Sequence, residues 1–210
     1  MKKSILYVMA IALLGLVTAC GGDATEDVTN TDAETTTTTE VEEQAPAPEV
    51  TDESQVEAIN QWRTFVETNT GELFQVEEHT YACDGWGGMV KMTYDKDFLR
   101  MIEHVSGGED GANTQKFYYD ENDQLVLAWY ESSMWAGDNN TTVQTMYYIK
   151  DGAPFKVLKK EAQGTSADIE QNVEMAEYSE VGAEGFEELE GVATELQALT
   201  GEQIQAFFCN

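Results

Sequence analysis

The hydrophobic positions of the chain follow two different periods. Between residues 54 and 68, apolar residues recur every three or four positions, which predicts an amphipathic helix with one buried stripe. Asp52 and Ser54 are its candidate N-caps, and Gly71 stands where a helix stop is expected. The predicted stripe consists of Val56, Ile59, Trp62, Phe65 and Val66.

The region from Leu73 to Lys160 changes to strand composition. It contains seven of the nine Tyr and three of the four Trp of the chain, together with many β-branched residues. Aromatic strand ends recur at Tyr94, Tyr119 and Tyr148, and each is followed by a short polar turn that predicts a β-hairpin. We therefore predict about seven antiparallel strands in meander order. The predicted strands are 73–82, 88–95, 98–105, 115–120, 124–133, 141–150 and 154–161.

Helical spacing returns after residue 166. Residues 167–178 and 185–208 are the predicted helices, and Thr200 is a candidate cap for a last short helix within the second range. The last short helix is expected to turn Ile204, Phe207 and Phe208 inward. Helices at both ends of one antiparallel sheet define an α+β fold, in a single domain over residues 54–210. The stripe of the second helix consists of Phe186, Leu189, Val192, Ala193, Leu196 and Leu199.

A meander places alternate turns at opposite ends of the sheet, and this arrangement suggests a site. Short turns at 96–97, 121–123 and 151–152 fall at one end. Long loops predicted at 83–88, 106–113 and 133–140 fall at the other. Binding residues often lie on loops that a rigid scaffold holds, and an exposed Trp can stack on a sugar, a lipid or a partner side chain. The alternative is that both Trp rings fold over the sheet edge and complete the core. The candidate ligand-binding residues are Trp86, Trp135, Asp84 and Asp138.

The first 22 residues have a third pattern. Lys2 and Lys3 are followed by an uncharged run at 5–17, which is shorter than the roughly 20 residues of a membrane-spanning helix, and then by small residues and Cys20. This stretch resembles the lipobox of bacterial lipoproteins. The resemblance implies that residues 1–19 are a cleaved signal peptide and that Cys20 is acylated as the first mature residue. The residue after the lipidated cysteine is Gly21, and by the same resemblance this implies that the protein is placed in the outer membrane rather than the inner membrane of the cell envelope. An ordinary signal peptide is the alternative.

Residues 20–53 form the predicted tether. Beyond the lipobox this segment holds a run of five Thr at 35–39, two Pro and scattered acids, with no Lys, Arg or aromatic residue. Such a composition buries too little apolar surface to offset the entropy of ordering, so we expect a disordered acidic spacer. As a flexible coil it would span on the order of 30 Å between the lipid and the domain.

The charge of the domain limits the classes of partner that it can bind. Residues 54–210 hold nine Lys and Arg against 29 Asp and Glu, a formal charge of −20. Binding to phosphate backbones depends on basic patches, so we predict no nucleic-acid partner. The predicted partners are the lipid bilayer, through acylated Cys20, and an unknown envelope protein or glycan.

Two further cysteines are candidates for a disulfide. An exported protein can form one, and Cys83 and Cys209 remain as an even pair once Cys20 carries lipid. Such a bond would hold the C-terminal helix to the sheet. Two free thiols are the alternative.

The sequence points to no cofactor. Zinc would need paired His and Cys, but His79 and Cys83 are about 13 Å apart along a strand. Ca²⁺ is the alternative, because oxygen donors collect at the loop end, although no loop has the EF-hand pattern. Phosphate-binding glycine loops and hydrolase or metalloprotease motifs are absent from the sequence. The candidate Ca²⁺ donors are Asp84, Glu109, Asp110, Asp138, Asn139 and Asn140.

These observations favour a non-enzymatic binding or accessory lipoprotein of the cell envelope. A surface glycan-binding module that uses Trp86 and Trp135 is the first alternative. An envelope hydrolase with a pair of carboxylates is the second alternative.

Overall fold

The computed structural model describes residues 51–209, in which one antiparallel sheet carries helices on both faces. Cys20, the predicted signal peptide and residues 20–50 of the predicted tether lie outside the described residues. The helices are α1 (Asp52–Asn69), α2 (Ile169–Met175), α3 (Phe186–Ala198) and α4 (Gly201–Cys209). The strands are β1 (Gln75–Ala82), β2 (Trp86–Asp95), β3 (Phe98–Gly108), β4 (Gly111–Tyr119), β5 (Leu125–Ala136), β6 (Asn139–Lys150), β7 (Ala153–Gly164) and β8 (Ser179–Glu180).

The sheet is a meander of eight strands, each paired antiparallel with the next strand along the chain. This confirms the predicted α+β fold and meander order. The added strand is β8, whose two residues lie directly after the predicted helix over 167–178. A two-residue strand has no readable alternation, so only its pairing with Lys159 and Leu158 of β7 reveals it.

The three predicted long loops were wrong. Strands continue through them and meet in short connections at 83–85, 109–110 and 137–138. Gly, Ser and Asn in these segments resemble turn residues, but they pair across the sheet, as Gly107 does with Gly87 and Ala112. The predicted short turns are confirmed at the opposite end.

Helix α1 begins earlier than predicted. Its N-cap is Thr51, whose side chain accepts a hydrogen bond from the backbone N–H of Ser54 at 3.3 Å. Asp52 and Glu53, which we assigned to the tether, form the first helical turn instead. Gly71 follows the helix with a φ of +80°, as a stop residue would.

One face of the sheet packs against α1. Val66 of the helix is fully buried against Met101, Tyr118, Leu127 and Tyr148, which occupy one register row of the sheet. Of the predicted stripe, Phe65 is the exception, because 45% of it is exposed. Apolar burial on this face therefore holds α1 in place.

The other face packs against α3 and α4, which bury Phe186, Leu189, Ala193, Leu196 and Ile204. The predicted helix over 185–208 is thus two helices. The break follows Ala198, and the side chain of Gln203 accepts a hydrogen bond from the N–H of Thr200 at 2.9 Å, as in a capping box. Ile204 and Phe208 point inward as predicted, whereas Phe207 is 39% exposed.

A disulfide between Cys83 and Cys209 joins α4 to the end of β1, which confirms the predicted pair. The side-chain amide of Gln205 adds a second link. Its Nε2 donates to the carbonyl of Ala82 at 2.9 Å, and its Oε1 accepts from the Ala82 N–H at 3.2 Å. Together these contacts satisfy part of the edge of the sheet and hold the C-terminus.

Candidate functional site

The two candidate tryptophans lie on strands and on opposite faces of the sheet. Trp86 begins β2 and pairs with Gly108, in the register of residues that face α3 and α4, and its ring meets Tyr81 edge-on at 5.6 Å. Trp135 lies near the end of β5 and pairs with Asn140, in the register of residues that face α1 and α2. The rings are 41% and 47% exposed. They do not form one platform, so a glycan module that uses both residues would have to engage each ring on a separate face of the sheet.

The candidate acids lie at the same end of the sheet as the two rings but remain separate. Asp84 and Asp138 are exposed in their turns. Asn140 is buried and donates to Ser166 Oγ at 2.9 Å. Among residues 51–209, no three His, Cys, Asp or Glu side chains are grouped so as to hold a metal ion.

The structure assembles a different site, a cavity of about 480 Å³ between the sheet and the start of α3. We call it the α3 cavity. A register row of the sheet forms its floor: Gln115, Tyr130, Thr145 and Lys159 pair in sequence across β4, β5, β6 and β7. The volume lies in the range of small-molecule pockets. The remaining lining residues are Val143, Tyr147, Val181, Gly182, Glu184, Gly185, Glu188, Leu189 and Val192.

The lining of the α3 cavity contains both apolar and charged residues. Val143, Val181 and Leu189 offer apolar contact. Lys159 brings an ammonium group from the sheet, and none of the ion pairs formed within the described chain includes it. Glu184 and Glu188 bring carboxylates from the helix side. An amphipathic ligand with a polar, charged head group matches this arrangement.

Two tyrosines hold fixed hydroxyl groups at the α3 cavity. Tyr130 donates to Oδ1 of Asn113 at 2.9 Å, and Tyr147 donates to the carbonyl of Glu184 at 2.8 Å. Burial, and after it the charge of Glu184, raises the pKa of Tyr147. The hydroxyl therefore stays protonated, and it holds the segment before α3 against the sheet.

A buried chain of hydrogen bonds leads from the cavity floor toward α4. Gln115 Oε1 lies 2.9 Å from Nδ1 of His104, and Nε2 of His104 lies 2.7 Å from the hydroxyl of Tyr81. Phe208 of α4 stacks on both rings, with centroid distances of 4.4 Å to Tyr81 and 4.5 Å to His104. This chain couples the position of Gln115 to the helix that the disulfide holds.

Sequence reasoning missed the α3 cavity, although a signal was present. Gln115 and Thr145 stand two residues before Phe117 and Tyr147, so strand alternation turns them toward the same inner face. Polar side chains at inward positions mark a place where the core is open. The sequence contained this pattern, but not the register that joins the row.

Comparison with known proteins adds no functional assignment. The chain matches no protein-family model, no curated protein and no solved structure. Within residues 51–209, none of the helices combines the length and apolar character that crossing a bilayer requires.

Proposed function

We propose that the protein is a lipid-anchored lipoprotein of the bacterial cell envelope, in the outer membrane, that binds an amphipathic ligand in the α3 cavity without chemical conversion. The observation that carries the binding role is the α3 cavity itself, whose lining combines the polar row of the sheet with both apolar residues and a carboxylate of α3. The lipobox resemblance of residues 1–22 supports the anchor. The acidic surface supports a partner other than nucleic acid.

The test is to purify the lipidated protein from its own cells and identify bound small molecules by native mass spectrometry. Val192→Phe should narrow the α3 cavity and displace most of the bound species. Gln197→Phe is the matched control, because Gln197 is exposed on the same helix and lies outside the cavity lining. Wild type and control should carry the same molecule. Melting curves must show that both variants fold.

Three outcomes would contradict the proposal. If no preparation carries a bound molecule, or if Val192→Phe retains it, the α3 cavity is not the binding site. Cross-linking in the same cells tests the accessory role. One dominant protein partner that remains bound to Val192→Phe would assign the function to a protein interface instead.

A further inference from the structure

A second cavity, of about 460 Å³, opens at the short-turn end of the sheet. We call it the Arg100 cavity. It lies between the second half of α1, the segment before β1 and the hairpin turns that follow β2 and β4, on the side of the domain away from the disulfide. It shares no lining residue with the α3 cavity. Its lining consists of Trp62, Phe65, Leu73, Phe74, Asp95, Lys96, Phe98, Arg100 and Glu121.

The apolar part of the Arg100 cavity is open to solvent. Leu73, Phe98 and Phe65 are 66%, 47% and 45% exposed, which is high for large apolar side chains. Phe65 is held by neighbouring rings, at 5.7 Å from Phe74 and 5.8 Å from Trp62 between centroids. The result is a preformed aromatic surface of the kind that receives an apolar ligand group.

Arg100 is the unusual member of this cavity, because only 3% of it is exposed. Its Nη1 donates to the carbonyls of Leu99 at 3.3 Å and Asp120 at 2.6 Å, and lies 3.5 Å from a carboxylate oxygen of Asp123. The guanidinium carbon lies 5.4 Å from the centroid of the Phe98 ring. These contacts fix the group firmly in one orientation.

The opposite edge of the same guanidinium lacks a partner. Nε of Arg100 is buried and makes no hydrogen bond within residues 51–209, and every hydrogen bond and ion pair of this side chain there uses Nη1. A buried donor without an acceptor is costly, and more so when it carries charge. The Nε and Nη2 groups of arginine match the two oxygens of a carboxylate.

We propose that the Arg100 cavity binds a carboxylate carried on an aromatic or branched apolar body. The carboxylate pairs with the free edge of Arg100, and the apolar body covers Leu73, Phe65 and Phe98. Because Nε is buried in this structure, we expect the half-exposed Phe98 ring to move aside when the ligand enters. Such a carboxylate belongs either to a free small acid or to the C-terminus of a peptide.

The side-chain resonances of arginine give a direct test on the full-length protein. The chain contains two arginines, Arg63 and Arg100, so their Nε–Hε signals form a short, assignable set in a nitrogen–proton correlation spectrum. Titration with 3-phenylpropionate should shift the Arg100 signal downfield. Arg63 is the internal reference, because its Nε is also buried without a partner but lies outside the lining. The amide 3-phenylpropionamide should bind roughly tenfold or more weakly, since it lacks the charge.

Surface variants test the same cavity without replacing Arg100, so their result does not depend on whether an Arg100 variant folds. Leu73→Glu places a like charge at the opening and should weaken binding of 3-phenylpropionate about tenfold or more. Glu121→Gln removes a negative charge from the lining and should strengthen binding of 3-phenylpropionate. Met134→Glu is the matched control, because Met134 is a 61% exposed apolar residue on β5, outside the Arg100 cavity.

Three results would each contradict the proposal, and a peptide comparison then identifies the source of the carboxylate. Equal binding of acid and amide, a shift of Arg63 in place of Arg100, or equal effects of Leu73→Glu and Met134→Glu would overturn the proposal. A short peptide ending in Phe with a free carboxylate, compared with its amidated form, identifies the source. Tighter binding of the peptide acid than of 3-phenylpropionate points to a chain terminus, and the reverse order points to a free acid.

Discussion

The hydroxyl oxygen of Tyr81 lies 2.7 Å from Nε2 of His104, beneath the ring of Phe208 in the layer between the sheet and α4. Burial raises the pKa of Tyr81 to about 12, so this hydroxyl stays protonated and has a proton to donate. The imidazole then accepts at Nε2, and its Nδ1–H donates to Gln115. This pattern is that of a neutral histidine, the form that burial of the ring favours.

We predict that this neutral histidine makes the fold sensitive to mild acid. Burial lowers the pKa of His104, and its hydrogen bond with Gln115 offsets part of that change. An unfolded histidine titrates at about pH 6.5, so below that pH the unfolded chain binds a proton that the folded chain does not. The free energy of unfolding should thus be highest above about pH 6.5 and fall progressively below it, down to the lowered pKa of the folded state.

Urea unfolding at about pH 7.5 and about pH 5.5 measures this loss. His104→Gln should show a smaller loss between the two pH values than the wild type. His79→Gln is the control and should keep the wild-type difference. An equal pH dependence in wild type and His104→Gln would assign the acid sensitivity to other groups.

Two glycine substitutions should act in opposite directions. A Cβ at Gly88 would collide with the backbone carbonyl oxygen of Val105 and lie 2.5 Å from the hydroxyl of Tyr81, so Gly88→Ala should destabilise the fold by about 1–3 kcal/mol. A Cβ at Gly191, in the middle of α3, would meet nothing within 4 Å, so Gly191→Ala should stabilise by about 0.5–1 kcal/mol. Denaturant unfolding of both variants checks the signs. A neutral Gly88→Ala would show that both the β3 backbone at Val105 and the Tyr81 ring can shift without cost.

Removal of the disulfide should release α4 before the rest of the fold. The bond joins positions 126 residues apart, and in the chain-entropy model a loop of that size contributes about 4–5 kcal/mol. Replacement of both Cys83 and Cys209 by Ser should lower the free energy of unfolding by an amount of that order. Hydrogen exchange should rise first in α4. Uniform protection across α4 in the double variant would contradict this order.

Trp86 and Trp135 should contribute independently to the free energy of unfolding. Trp86→Ala loses the edge-on contact with Tyr81, whereas the Trp135 ring makes no comparable aromatic contact within the described chain. Trp86→Ala should therefore lower the free energy of unfolding by about 1 kcal/mol more than Trp135→Ala. Because the two rings lie on opposite faces, the double variant should equal the sum within about 0.5 kcal/mol. A glycan array with each single variant completes the test. If both single variants lose binding to the same glycan, the two tryptophans contribute to one binding site.

Much of the fold was predictable because it depends on local pattern. The helical spacing of Val56, Ile59 and Trp62 was sufficient for α1, and the aromatic strand ends at Tyr94, Tyr119 and Tyr148 located three hairpins. Short connections between amphipathic segments leave few topologies, so the meander order followed. The candidate binding residues were less predictable, because Gly and Ser near residues 106–113 suggest loops when they are read alone.

By itself, the sequence determined the types of the longer elements, the α+β class and the meander order. These follow from periods of two and 3.6 and from turn residues, all of which are local. The structure decided that Cys83 pairs with Cys209, which the sequence left open against two free thiols. Only the tertiary structure decided that the strands extend to tight ends and that Trp86 and Trp135 face opposite ways. It also decided that the polar row from Gln115 to Lys159 lies open beneath α3. Register across a sheet is set by the packing of distant residues, and a shift of one position exchanges the two faces.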